Sequence, residues 1–184
     1  MAEQEHNPMD LLENSHVVKS REDVSEALDK LAREINEEFS GESIIFLAVM
    51  KGAMIPGAWL AERLTMPLRL DYVHATRYLG DTRGGEIHWV APPTWPLDGE
   101  RIVIFDDIFD EGHTIDSIQK YCYNQGASDV RTAVLVRKLH DRGLPRDAVD
   151  FIGMDVPDQY IFGCGMDVYE YWRQLDDIRV MNDS

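Results

Sequence analysis

Two spacings alternate among the apolar positions of this chain, and they mark out its elements. Val24, Ala27, Leu28, Leu31, Ala32 and Ile35 recur at three- and four-residue intervals, the stripe of an amphipathic helix whose apolar face packs on a sheet. Ser20 with Asp23 three residues later marks its start, and Gly41 its end. Ile44 to Val49 is unbroken apolar sequence, as expected for a strand buried on both faces. A helix is predicted from about Pro56 to Leu64. Pro67 interrupts the chain, Leu68 to Tyr78 reads as a strand, and Ile87 to Ala91 as its return. Gly80, Gly84 and Gly85 lie in the polar loop between these two strands, the composition of a hairpin tip. Pro92 to Pro96 is a rigid connector. Further buried strands are predicted at Ile102 to Phe105 and Val130 to Val136, with a helix from about Ile115 to Tyr123 between them. Strands alternating with helices predict an α/β fold, a central, mostly parallel sheet flanked by helices. Residues 1–14 are polar and acidic around one short apolar patch, and read as a loosely held arm or a short docking helix.

The chemistry concentrates in Arg101 to Thr114, R-I-V-I-F-D-D-I-F-D-E-G-H-T. An apolar strand breaks into Asp106 and Asp107, Asp110 follows three residues on, and Gly112 and Thr114 open a helix. Open α/β sheets bind ligands at the carboxyl ends of their strands. Gly112 allows a tight turn, and the free N–H groups of a helix start favour an anion such as phosphate. Asp106 and Asp107 are odd neighbours for bare phosphate. They suit ribose hydroxyls, or a magnesium ion bridging to a diphosphate. A P-loop hydrolase would also have an acid-tipped strand, but Gly52 to Gly57 is followed by Ala58 and Trp59, so the Lys and hydroxyl of that motif are missing.

Composition narrows the field. At 184 residues the chain has the length of one domain with a core of its own, 1–184. Hydrophobic content of 44% and charged content of 28% are those of a soluble globular protein. A net charge of −16 argues against nucleic-acid or anionic-membrane partners, which need a basic face. Cys122 and Cys164 are too few for a disulfide framework or zinc knuckle. The six histidines are scattered without an H-E-x-x-H, so no zinc site is expected. With no apolar run long enough to span a membrane and a polar, acidic N-terminus, the cytoplasm is the expected compartment.

The stretch from Arg101 to Thr114 resembles the phosphoribosyl-diphosphate (PRPP) signature of type I phosphoribosyltransferases: four apolar residues, two acids, two apolar residues, then D-x-G-x-T. Two further segments resemble the hypoxanthine-guanine branch of that family. Met50-Lys51-Gly52 matches its apolar-Lys-Gly pyrophosphate loop, where members often carry a cis peptide before the Lys. Asp150 to Asp167 matches D-F-x-G-x-x-x-P-D-x-[FY]-x-x-G-x-x-x-D, and the match continues to Arg173. Motifs fall in the family's order from about residue 16 to 181. The resemblance implies the type I phosphoribosyltransferase fold with a small hood subdomain. It places a flexible hood hairpin at 78–90, with Tyr78 as its tyrosine, and a base-binding segment at 150–184.

It also implies a reaction: transfer of ribose 5-phosphate from PRPP to a ring nitrogen of a 6-oxopurine, hypoxanthine and/or guanine, with release of pyrophosphate. PRPP would be bound by Asp106, Asp107, Asp110, Glu111, Gly112, His113 and Thr114, with Asp110 as the general base at purine N7. Lys51, Gly52 and Arg173 would hold pyrophosphate. Lys138 would meet the 6-oxo oxygen, Tyr160 would stack on the purine, and the Ile161 backbone would meet the exocyclic group. Mg²⁺ would be the cofactor, on Asp106, Asp107 and Asp167, and the enzyme a homo-oligomer, dimer or tetramer.

Several positions depart from the family's pattern: Glu111 for a usual Thr, His113 for a usual Lys or similar residue, Gln159 for a frequent Lys, His74 for a basic hood residue and Arg77 for a common Ser. A Glu side chain would be repelled by phosphate, so Glu111 is expected to point outward and offer only its N–H. Alternatives are a xanthine-preferring enzyme and a PRPP-sensing regulator on the same fold. The charge of −16 and the intact segment from Pro157 to Asp167 count against the regulator. Lys138 counts against adenine, whose 6-amino group cannot accept its hydrogen bond.

Overall fold

The computed structural model describes residues 7–77 and 87–182. In chain order the elements are α1 (Pro8–Glu13), β1 (Ser15–Lys19), α2 (Arg21–Glu38), β2 (Ile44–Met50), α3 (Met54–Ala61), β3 (Leu68–Arg77), β4 (Ile87–Ala91), β5 (Arg101–Phe109), α4 (His113–Asn124), β6 (Asp129–Leu139), β7 (Phe151–Pro157), β8 (Ile161–Phe162) and β9 (Ile178–Met181), with one 3₁₀ turn at Arg146–Ala148. Six strands form the main sheet in the order β4-β3-β2-β5-β6-β7. All neighbours are parallel except β3 and β4, which pair antiparallel with Arg77 opposite Ile87. The tip of the expected hood hairpin, including Tyr78, lies outside the described residues.

Helices cover both faces, which explains the unbroken apolar runs. Phe46, Ala48, Val103, Phe105, Ala133 and Leu135 face one core with the buried stripe of α2 and with Leu60 of α3. Their sequence neighbours Ile45, Leu47, Ile102, Ile104 and Val134 face a second core with Ile115, Ile118 and Cys122 of α4. Successive strand residues point to opposite faces, so a strand sandwiched this way is mostly apolar, and buried Thr132 of β6 is met by the Asp150 carboxylate at 2.8 Å. The α2 start is a complete capping box: Ser20 Oγ accepts from Asp23 N at 3.1 Å, and Ser20 N donates to Asp23 Oδ2 at 2.7 Å. Asp71, buried at an edge, accepts from the N–H groups of Thr94 and Trp95 at 2.8 and 3.1 Å, and so anchors the proline-rich connector.

Of the two forms expected for the N-terminal segment, the short docking helix is the one formed, from Pro8 to Glu13. Leu11 is buried with Phe162 and Val168, and Trp172 Nε1 donates to Pro8 O at 2.7 Å. Burying a Leu side chain contributes about 2 kcal/mol. β1 then pairs with β9, and β9 with β8, in a second, three-stranded antiparallel sheet. Both ends of the chain thus build the small unit beside the main sheet. One finding departs from the sequence reading: β5 does not stop at Phe105. It runs to Phe109 and stays paired with β6, Asp106 opposite Val134 and Phe109 opposite Arg137. The two acids therefore sit inside a strand and not in a turn.

No helix among the described residues is long and apolar enough to cross a membrane.

Candidate active site

At the carboxyl ends of β5 and β6 the chain makes a cradle. Gly112, with φ of 78°, caps α4, and a Cβ there would overlap the Phe109 ring. Only glycine meets both demands. Asp106, Asp110, Glu111, Gly112, His113 and Thr114 line a cavity of about 240 Å³ against the start of α4. The first N–H groups of a helix have no partner within it, the chemistry that favours an anion. The Glu111 carbonyl accepts from Leu144 N at 2.9 Å, which ties the loop to the turn after β6. Its side chain, expected to point outward, is 44% exposed, with Oε2 3.7 Å from His113 Nε2.

Asp106 and Asp107 meet different neighbours, yet their carboxylates stay within hydrogen-bonding reach of each other. Asp106 opens onto the cavity and its Oδ1 accepts the Asp107 N–H at 2.9 Å. Asp107 is 7% exposed and lies against Gly52. A Cβ on Gly52 would overlap the Asp107 carboxylate, and one on Gly165 would overlap the Gly52 carbonyl. Three segments distant in sequence thus meet at Asp107. Burial and the charge of Asp107 push the Asp106 carboxyl well above the usual range. Burial also raises Asp107, although the nearby Arg173 guanidinium and backbone N–H groups work against that. Two buried acids short of positive charge are a donor set that suits a hard divalent cation.

Lys51 follows a cis Met50–Lys51 peptide and pairs with Glu170 at 3.0 Å. Arg173 reaches Asp167 Oδ1 at 2.5 Å and the Gly165 carbonyl at 2.8 Å. Asp167 Oδ2 accepts the Glu170 N–H at 2.8 Å, so this expected metal ligand already has a partner on each oxygen. Tyr160, 58% exposed, donates to Asp167 O at 3.3 Å. The Ile161 side chain is in the core, and its strand, β8, is the edge of the small sheet. Contacts thus run from Lys51 through Glu170, Arg173 and Asp167 to Tyr160.

The Asp110 carboxylate lines the cradle and takes two donors from the end of β6 and the turn after it. Lys138 Nζ lies 3.0 Å from Oδ2 and His140 Nε2 2.7 Å from Oδ1. Burial raises Asp110, but the hydrogen bonds from Lys138 and His140 prevail and hold it below the usual carboxylate range. His140 belongs to none of the motifs singled out in the sequence. Its contact depends on how the end of β6 lies beside the loop after β5, which spacing along one strand does not reveal.

Comparison with known proteins agrees with this geometry. A Hypoxanthine-guanine phosphoribosyltransferase of Aquifex aeolicus is 29% identical over 164 residues, covering 88% of this chain and 92% of that protein. One of Streptococcus pneumoniae is 26% identical over 177 residues, covering 95% and 98%. The crystal structure of a hypoxanthine-guanine phosphoribosyltransferase of Bacillus anthracis superposes with a TM-score of 0.84 at 24% identity, covering 90% of this chain and 98% of that one, and shares the fold. With residues 18–170 matching the phosphoribosyl transferase domain model, this chain belongs to the phosphoribosyl transferase family.

Proposed function

We propose that this phosphoribosyltransferase moves ribose 5-phosphate from PRPP to hypoxanthine and/or guanine, releasing pyrophosphate, as a purine-salvage enzyme of the cytoplasm. The observation that carries the choice of base is the pairing of Lys138 and Asp110 at 3.0 Å. A 6-oxopurine presents O6 and N7 side by side on one edge. A cationic donor beside a carboxylate acceptor matches O6 together with a protonated N7. Adenine offers an amino donor to Lys138 and mismatches it.

In this reading the cradle from Asp110 to Thr114 takes the 5-phosphate and Asp106 meets the ribose diol. Lys51 and Arg173 exchange Glu170 and Asp167 for the diphosphate, and Tyr160 covers the purine. Mg²⁺, held by Asp106 with Asp107, would neutralise the diphosphate as it leaves. Asp167 joins it only if its contacts with Arg173 and Glu170 open. Asp110 takes the N7 proton as the ring nitrogen attacks C1. A homo-oligomer fits the exposed apolar side chains Met54, Leu70 and Tyr72, 58%, 62% and 47% exposed, which border a groove of about 660 Å³ between α3 and β3.

Pyrophosphate release from PRPP and Mg²⁺ with hypoxanthine, guanine, xanthine and adenine, each alone, tests the reading. Release with hypoxanthine or guanine and none with adenine is expected. Release with adenine alone, or PRPP binding without turnover of any base, overturns it.

A further inference from the structure

His140 has no part in the chemistry above, yet its side chain is only 6% exposed, against 43% for Asp110 and 12% for Lys138. Its Nε2 lies 2.7 Å from Asp110 Oδ1. On the other side of the ring, the Arg142 N–H donates to Nδ1 at 3.1 Å. A ring nitrogen that accepts a hydrogen bond carries no proton, so the neutral imidazole holds its proton on Nε2 and donates it to Asp110. The turn's own backbone sets that tautomer.

The two donors to Asp110 are not equivalent. Lys138, on Oδ2 at 3.0 Å, is drawn to the purine oxygen when the base arrives. Oδ2 then loses its donor while His140 stays.

We propose that His140 is a positioning residue for Asp110: a fixed Nε2–H donor that anchors Oδ1 and leaves Oδ2 to receive the purine N7 proton once Lys138 turns to the base. The inference rests on the purine-transfer reading. In the step, the bond from the ring nitrogen to C1 forms, and the C1–O bond breaks with its electron pair leaving on pyrophosphate. The N7 proton passes to Oδ2, and His140 neither gains nor loses one.

Asp110, His140 and Asp158 bring donor atoms within 4.8 Å of one another, a grouping that also resembles a metal site. Cations of the protein already fill it. Arg142 grips Asp158 at 2.7 and 2.8 Å and stands 3.9 Å from Asp110, and Lys138 takes Asp110. Glu111 adds a further negative charge near Arg142. His140 therefore faces an ion-pair network with the two carboxylates matched by two cations.

The test compares wild type, His140→Ala and His140→Gln with PRPP, Mg²⁺ and the preferred purine between about pH 5 and 9, with kcat and KM separated. His140→Ala should lower kcat about 10–100-fold, with the KM for PRPP little changed. The acid limb of its kcat profile should move to higher pH, because Asp110 has lost a donor that favours its charged form. His140→Gln, whose side-chain amide can donate from a similar position, should recover most of kcat and bring the limb back. Unchanged kcat in His140→Ala overturns the inference. So does an equal loss in both variants with a lowered Tm and no shift of the limb. A wild type that turns over no purine removes the purine-transfer reading and this inference with it, whereas an active wild type with unaffected variants removes only this inference.

Discussion

Replacing Asp106 by Asn should make the ligand-free protein more stable and less active. Asp106 sits in β5 with Asp107 next to it, and Asp107 is 7% exposed. Burial first, and the charge of Asp107 second, push the Asp106 carboxyl up. A carboxyl raised on folding favours the folded state only while protonated. That contribution is complete below the unfolded value of about 3.8 and is lost as pH rises through the raised folded value. As pH rises through that value, wild type comes to carry two mutually repelling charges. Like charges about 4 Å apart repel by about 4 kcal/mol at an effective dielectric near 20. Asp106 is only partly enclosed and solvent reduces the repulsion, which leaves roughly 1–2 kcal/mol to be relieved. The Asn Oδ1 can still accept the Asp107 N–H that Asp106 accepts at 2.9 Å, so no hydrogen bond need be lost. For a chain of this size about 1 kcal/mol moves Tm by about 2–4 °C. Thermal unfolding without magnesium should show Asp106→Asn melting about 2–8 °C above wild type at pH 8. The gap should close as pH falls toward the ordinary carboxylate range, and added Mg²⁺ should narrow it at pH 8 by stabilising wild type. A variant that melts lower than wild type at pH 8, or a gap independent of pH, would contradict mutual repulsion at this site.

Other substitutions probe separate parts of the site. Lys138→Gln should raise the purine KM at least about tenfold while leaving the KM for PRPP near wild type, since a hydrogen bond from a charged group contributes about 1.5–3 kcal/mol; an unchanged purine KM would place the base elsewhere. Gly52→Ala should cut kcat/KM by about 100-fold with helix and sheet content preserved, because its Cβ displaces the Asp107 carboxylate and small misplacements are costly in catalysis; full activity would show that Asp107 is free to move. Leu11→Ala should cost about 2–3 kcal/mol in chemical unfolding monitored by Trp172 fluorescence, and no loss would return the N-terminal segment to a loose arm.

What was legible in the sequence was mostly local. The Ser20–Asp23 capping box and the apolar stripe of α2 lie within one or two helical turns, and both formed. The doubly buried strands were readable because helices on both faces leave them mostly apolar. The course of β5 was not. Two adjacent acids look like the end of a strand, and only pairing with Val134, Val136 and Arg137 of β6 carries the ladder through them. Within β5, Asp106 lines the cavity and Asp107 packs against Gly52. The fate of the N-terminal segment was hidden for a similar reason: its partners Phe162 and Trp172 come from the far end of the chain. Lys138 is singled out by the resemblance, and its contact with Asp110 joins two segments 28 residues apart. His140 was missed, because nothing in the turn H-D-R-G announces that its imidazole closes on Asp110.

The most direct measurement is a crystal structure of the enzyme with PRPP and Mg²⁺. The 5-phosphate should lie within hydrogen-bonding distance of the backbone N–H groups between Glu111 and Thr114, with the ribose hydroxyls at Asp106. Electron density for the sugar phosphate anywhere else, with the start of α4 holding only solvent, would contradict the assignment of that loop as the PRPP cradle.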